Sequence, residues 1–144
     1  MTVARILEDK GTDVFTLSAD ASIMDAVRSL ARHKVGAMVV TNADAGIEGI
    51  LSERDVVRAI GNRGAGALSE PVSALMTRAV VTCREDMPIN HLMELMTKGR
   101  FRHLPVEREG KLIGIISIGD VVKRRIAEIE QEAEQIRSYI VSSV

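Results

Sequence analysis

A chain of 144 residues has room for one ordinary domain or for two small halves sharing a core, and with 46% apolar residues such a core can form. A formal net charge of −1 argues against DNA or another bulk polyanion as the main partner, and Phe15, Phe101 and Tyr139 are too few aromatics to stack successive bases. Cys83 is alone, no Cys/His cluster suggests a metal, and neither a signal peptide nor an apolar run of membrane-spanning length is visible. These features predict a soluble protein of a reducing, cytoplasmic compartment, with no membrane or nucleic-acid partner.

In chain order, residues 2–8 read as a short helix with Val3, Ile6 and Leu7 on one side, broken by Asp9-Lys10-Gly11-Thr12, and residues 14–17 as a short strand. Ser22 caps a helix whose apolar positions Ile23, Ala26, Val27, Leu30 and Ala31 follow the helical period. Residues 35–40 suit a buried strand, 41–46 a turn and 47–51 a second strand. A helix follows from about Glu53 to Ile60, and the Gly/Ala/Ser-rich stretch 61–70 reads as a linker.

From Pro71 the pattern restarts. Residues 71–76 match the opening helix, and the predicted strand 80–82 matches 14–16. Ile89, Leu92, Met93 and Met96 take the places of Ile23, Ala26, Val27 and Leu30, and residues 101–106 match 35–40. The displacement is 66 residues up to the hairpin turn at 107–111, which is one residue shorter, and 65 from Gly114 onward. A length change confined to a turn fits a tandem duplication. Each unit of about sixty residues would have a marginal core alone, so the halves are expected to pack on each other. The second closing helix is much longer than the first. Its apolar residues Val122, Ile126, Ile129, Ala133, Ile136 and Ile140 are spaced alternately by four and three, which suits a self-association seam or a helix lying along its own domain, the former favoured.

The repeated signature is Gly49-Ile50-Leu51-Ser52-Glu53-Arg54-Asp55 and Gly114-Ile115-Ile116-Ser117-Ile118-Gly119-Asp120, both followed by Val-Val. Each copy reads as a strand ending in a hydroxyl, then a turn into a helix. A helix start offers unpaired N–H donors and a partial positive charge, which suits a phosphate, while the nearby carboxylate can accept from a sugar diol. Ser-x-x-Asp is equally the spacing of a helix capping box that satisfies backbone donors, and both readings stand. No GxxxxGK[ST] loop, GxSxG or metal-ligand cluster supports an enzyme.

These two signatures, with the strands Val35-Gly36-Ala37-Met38-Val39-Val40 and Phe101-Arg102-His103-Leu104-Pro105-Val106 and the opening Val72-Ser73-Ala74-Leu75-Met76-Thr77, resemble a tandem pair of cystathionine β-synthase-like (CBS) domains, a Bateman module of the stand-alone bacterial type. The resemblance spans nearly the whole chain. It implies an α/β (α+β) fold of two β-α-β-β-α units related by a pseudo-twofold, assigned to residues 1–66 and 67–125, with a helical extension over 126–144. It implies a non-catalytic regulatory module that binds an adenine nucleotide, AMP first, with ADP, ATP, NAD(H) or S-adenosylmethionine as alternatives. Assembly as a homodimer and an unidentified downstream protein belong to the same expectation. The alternatives are an oligomeric scaffold with empty clefts and, less favoured, a nucleotide hydrolase.

Carried over by position, Asp55 and Asp120 hold ribose hydroxyls, and Ser52 and Ser117 lie near sugar or phosphate. Thr16 and Thr82 face the adenine or phosphate edge, and Gly36 and Ala37 form a thin wall for the purine. Arg102 and His103, in the strand beside Ser117, are the phosphate counter-charges of the second half, and Arg54 supplies the cation of the first. This unequal placement of cations predicts unequal clefts. Lys123, Arg124 and Arg125 read as a solvated basic face or as contacts for a longer phosphate chain.

Overall fold

The computed structural model describes residues 1–142; the last two residues of the expected C-terminal extension lie outside them. The first half consists of helix α1 (Val3–Lys10), strand β1 (Thr16–Leu17), helix α2 (Ile23–His33), strands β2 (Ala37–Thr41) and β3 (Ile47–Ser52), and helix α3 (Glu53–Arg63). After a 3-10 turn (Ala65–Ser69) come α4 (Val72–Leu75), α5 (Ile89–Gly99), β4 (His103–Arg108), β5 (Lys111–Ser117) and the long α6 (Ile118–Ser142). The mixed α/β architecture and the long closing helix are as the sequence predicts.

The duplication is visible in the strand register. Ala37 pairs with Ser52 and His103 with Ser117, and both hairpins carry an irregularity at the same place, after Val40 and after Val106. β1 runs parallel to β2, with Leu17 opposite Val40. The predicted strand 80–82 does not form: its half retains a single parallel bridge, Cys83 to Val106, at the position equivalent to Leu17 and Val40. The predicted linker is also ordered differently. α3 continues through Gly61 to Arg63, Ala67 of the 3-10 turn is buried, Leu68 packs on the core, and Arg63 pairs with Glu70 at 2.6 Å.

The two cores are built by exchange. Val3, Ile6 and Leu7 of α1 belong to the cluster of the second half, with Cys83, Ile89, Leu92, Met96, Leu104, Val106, Ile116 and Val121. In return Val72 and Met76 join Leu17, Ile23, Ala26, Leu30, Met38, Val40, Leu51 and Val56 of the first. Each opening segment carries an apolar stripe too short to stabilise itself, so it must be buried against something larger. The halves are further joined by backbone bonds. Ile50 and Thr77 exchange N–H···O contacts of 3.0 and 2.9 Å, and the Leu112 N–H donates to the Ala45 carbonyl at 3.0 Å.

This exchange explains the repeated glycine of the signature. A Cβ on Gly49 would lie 2.7 Å from the sulfur of Met76 and 2.9 Å from the Thr77 carbonyl oxygen; one on Gly114 would lie 2.7 Å from Cδ2 of Leu7. The glycines admit the visiting segment of the other half.

α6 packs through its first turns only. Val121 is buried, whereas Val122, Ile126, Ile129, Ile136 and Ile140 are half or more exposed. The apolar stripe thus does not lie along its own domain. No described helix is long and apolar enough to cross a membrane.

Candidate functional site

The start of α3 is a complete capping box. The Ser52 hydroxyl accepts from the Asp55 N–H at 3.2 Å, and Oδ2 of Asp55 accepts from the Ser52 N–H at 2.9 Å. The Glu53 N–H donates to the Gly36 carbonyl at 2.9 Å. α6 repeats the arrangement with Ser117, Asp120 and an Ile118 N–H donating to the Arg102 carbonyl at 2.8 Å. Three of the four donors at each helix start are therefore consumed inside the protein, leaving the N–H of Arg54 and of Gly119. The expectation of several free helix-start amides is corrected accordingly: the caps leave one amide at each start without a partner among the described residues.

Asp55 lines a cleft of about 390 Å³, within the range of small-molecule sites. Gly36, Ala37, Ile50, Ser52, Glu53, Arg54 and Arg58 come from the first half; Thr77, Ala79, Val80, Val81, Arg100, Phe101, Arg102 and His103 come from the second. Of the residues singled out in the sequence, the cleft unites Gly36, Ala37, Ser52, Arg54, Asp55, Arg102 and His103. Arg102 and His103 were expected beside Ser117 in the other cleft. His103 does pair with Ser117 through the backbone, yet both residues line the Asp55 cleft, and the His103 ring lies against Gly36. Neither Thr16 nor Thr82 lines it. Thr16 is exposed on β1, and beside the half-buried Thr82 the cleft wall is Ala79, Val80 and Val81. Because 80–82 is not strand, the amides of Ala79 and Val81 have no hydrogen-bond partner among the described residues.

Arg58 and Arg100 escaped the sequence reading. Arg58 lies one turn beyond Arg54 on the same helical face, a spacing that signals it. Arg100 ends α5 in a left-handed conformation (φ 54°), as Lys34 ends α2; nothing local announces that turn.

Asp55 uses only Oδ2, in the cap; Oδ1 has no partner among the described residues. Asp120 differs. Its Oδ2 accepts from the Ser117 N–H (2.8 Å), the Ser117 hydroxyl (2.9 Å) and Nζ of Lys10 (2.6 Å). Burial works to raise the Asp120 carboxyl, but the bonds from Lys10 and Ser117 outweigh it and hold the carboxyl below its ordinary value. His103 is pushed down, first by burial and then by the Lys10 cation, against the opposing charges of Asp120 and Glu53. Among the described residues no cluster of three or more His, Cys, Asp or Glu side chains could hold a metal.

The CBS domain family model matches residues 5–62 and 72–127. This chain belongs to the CBS domain family. As a CBS pair it resembles a CBS domain-containing protein of Agrobacterium tumefaciens, with a TM-score of 0.84 and 51% identity over 87% of this chain and 99% of that one. A CBS domain protein of Pyrobaculum aerophilum solved in complex with AMP has a TM-score of 0.74 and 27% identity, covering 83% of this chain and 89% of its own. The mitochondrial CBS domain-containing protein CBSX3 of Arabidopsis thaliana is 33% identical over 96% of this chain and 71% of its own length.

Proposed function

We propose that this CBS pair is a regulatory sensor of adenine nucleotides, AMP first among AMP, ADP, ATP, NAD(H) and S-adenosylmethionine, with no catalytic activity of its own. The observation that carries the reading is the Asp55 carboxylate, fixed through one oxygen by the cap while the other stays open in a cleft flanked by Arg54, Arg58, Arg100 and Arg102. An open, oriented carboxylate accepts from the two hydroxyls of a ribose, and the arginine forks match phosphate oxygens. Ile50, Ala37, Val80 and Val81 supply apolar walls for the base. The AMP complex of the P. aerophilum relative supports this ligand class.

The cleft draws on both halves, so occupancy is linked to how they sit, and a downstream protein reads that change. The exposed stripe on α6 is the proposed homodimer seam. A cytoplasmic setting, expected from the sequence, completes the proposal.

The test is a thermal-shift and calorimetry panel of these nucleotides on the native protein and on Asp55→Asn. Asparagine keeps an oxygen for the Ser52 N–H and replaces the open oxygen by a donor. At about a hundred times its dissociation constant a ligand stabilises by roughly 2.7 kcal/mol. At least one nucleotide is expected to do so for the native protein and not for the variant. No shift with any nucleotide would favour the scaffold reading instead, and ATP turnover by the purified protein would revive the hydrolase.

A further inference from the structure

α6 leaves its domain with one apolar face uncovered. Val122, Ile129 and Ile136 alternate along it with Ile126, Ala133 and Ile140, and the isoleucines at 126, 129 and 136 are half or more exposed. In heptad terms the first three are d positions and the second three are a positions. Arg125 and Glu132 then fall at g along one flank of the face, and Glu130 and Arg137 at e along the other. Each flank thus holds one arginine and one glutamate, in opposite order. Arg125 holds Glu128 at 3.1 Å and Arg137 holds Glu134 at 3.4 Å, bonds within the helix that leave guanidinium donors over. Glu130 and Glu132 have no hydrogen bond or ion pair among the described residues.

These flanks distinguish the two ways in which a second copy of the helix can lie on the first. In a parallel, in-register pair, g of one helix meets e of the following heptad of the other. Arg125 of one copy then meets Glu130 of the other, and Glu132 meets Arg137, each contact made twice by symmetry. In an antiparallel pair the stripe overlaps equally well, with Ile126 on Ile136 and Ile129 on Ala133, but g then faces g and e faces e. Glu130 meets Glu130, Glu132 meets Glu132 and Lys123 meets Arg137. All three are like charges, which repel.

We propose that α6 pairs with α6 of a second copy of this chain as a parallel, in-register, two-stranded coil, so that both CBS pairs sit at the same end of it. This rests on the homodimer reading above and is independent of the nucleotide. The apolar residues supply the contact, and the charges choose the orientation. Isoleucine at both a and d fits three strands as well as two. Ala133 at the central a position decides for two: three alanines around one axis leave a void, whereas two helices close on each other there.

The experiment is mild oxidation of the full chain carrying Ile136→Cys, and of an equal mixture of Ile126→Cys and Ile136→Cys proteins, with Cys83 left in its buried place. The parallel coil brings position 136 against position 136 of the other copy. Ile136→Cys is therefore expected to give a disulfide-linked dimer, and peptide mapping of the mixture to find no bridge from 126 to 136. An antiparallel coil sets the two 136 positions about 15 Å apart and bridges 126 to 136 instead. That result would overturn the proposal, as would a dimer bridged at neither place. Sedimentation gives the second readout. Glu132→Arg should weaken the dimer about tenfold, because two attractions become two repulsions, and adding Arg137→Glu should restore it. A loss that the second change leaves in place, or an assembly of three copies, contradicts the proposal. A chain that stays monomeric at every concentration overturns the homodimer reading beneath it.

Discussion

The sulfur of Met76 lies against the face of Gly49 so closely that a methyl group on the glycine would sit 2.7 Å from it and 2.9 Å from the carbonyl oxygen of Thr77. Leu7 closes over Gly114 in the same way, but the crowded atoms there belong to a side chain alone. A side chain can rotate away; the Thr77 carbonyl is fixed by its bond to Ile50. Gly49→Ala is therefore expected to cost about 1–3 kcal/mol, as overpacking does, and Gly114→Ala distinctly less. Urea unfolding of the two variants checks the order, and equal losses would contradict this account of the signature glycine.

The caps make a separate claim. Ser52→Ala removes the acceptor of the Asp55 N–H and should destabilise by about 1 kcal/mol. Ser117→Ala should cost more, because that hydroxyl also donates to Asp120 at 2.9 Å. Thermal melts at fixed pH compare the two.

Acidification acts on both shifted groups in one direction. The Asp120 carboxyl titrates below its ordinary 3.8, so on acidification the unfolded chain takes up that proton first. Its contribution is fully present above about pH 4 and lost as pH falls through the depressed folded value. His103 likewise lies below its ordinary 6.5. The stability it contributes is complete above that value and declines as pH falls toward the folded one. Urea midpoints between pH 3 and 8 should therefore rise with pH. His103→Asn should flatten the segment just below pH 6.5, and Lys10→Met the segment below pH 4. A midpoint that climbs on acidification from pH 7 to 5 would be the opposite sign.

Cys83 reports on the exchanged core. Its thiol is 1% exposed and is pushed up to about 12, by burial first and by Glu107 second. Because Val3, Ile6 and Leu7 of α1 complete the cluster around it, it should resist thiol reagents at pH 8 until that helix leaves. Leu7→Ala, which opens a cavity worth about 2–5 kcal/mol, should accelerate labelling sharply. Fast labelling of the native protein would mean that α1 is not seated.

The repeat, the hairpins and the long last helix were legible because strand and helix periods are local. The caps that Ser52 forms with Asp55 and Ser117 with Asp120 were legible because a capping box is a four-residue motif. What Val3, Ile6 and Leu7 pack against was not: an apolar stripe says that a face is buried, and is silent about which half covers it. The same exchange brought Lys10 to Asp120, and a separate contact between the halves, the His103 ring against Gly36, put His103 in the Asp55 cleft. Thr82 misled for another reason. Parallel pairing is a tertiary property, and with pairing reduced to Cys83 the segment before it presents the backbone and side chains of residues 79–81 rather than the threonine.

The most direct test is a crystal structure of the protein grown with AMP. The account predicts the nucleotide in the cleft between Gly36–Ala37 and Val80–Val81, its ribose hydroxyls on the open oxygen of Asp55 and its phosphate among Arg54, Arg58, Arg100 and Arg102. AMP bound elsewhere, or in that cleft with Asp55 engaged only in its cap, would contradict it.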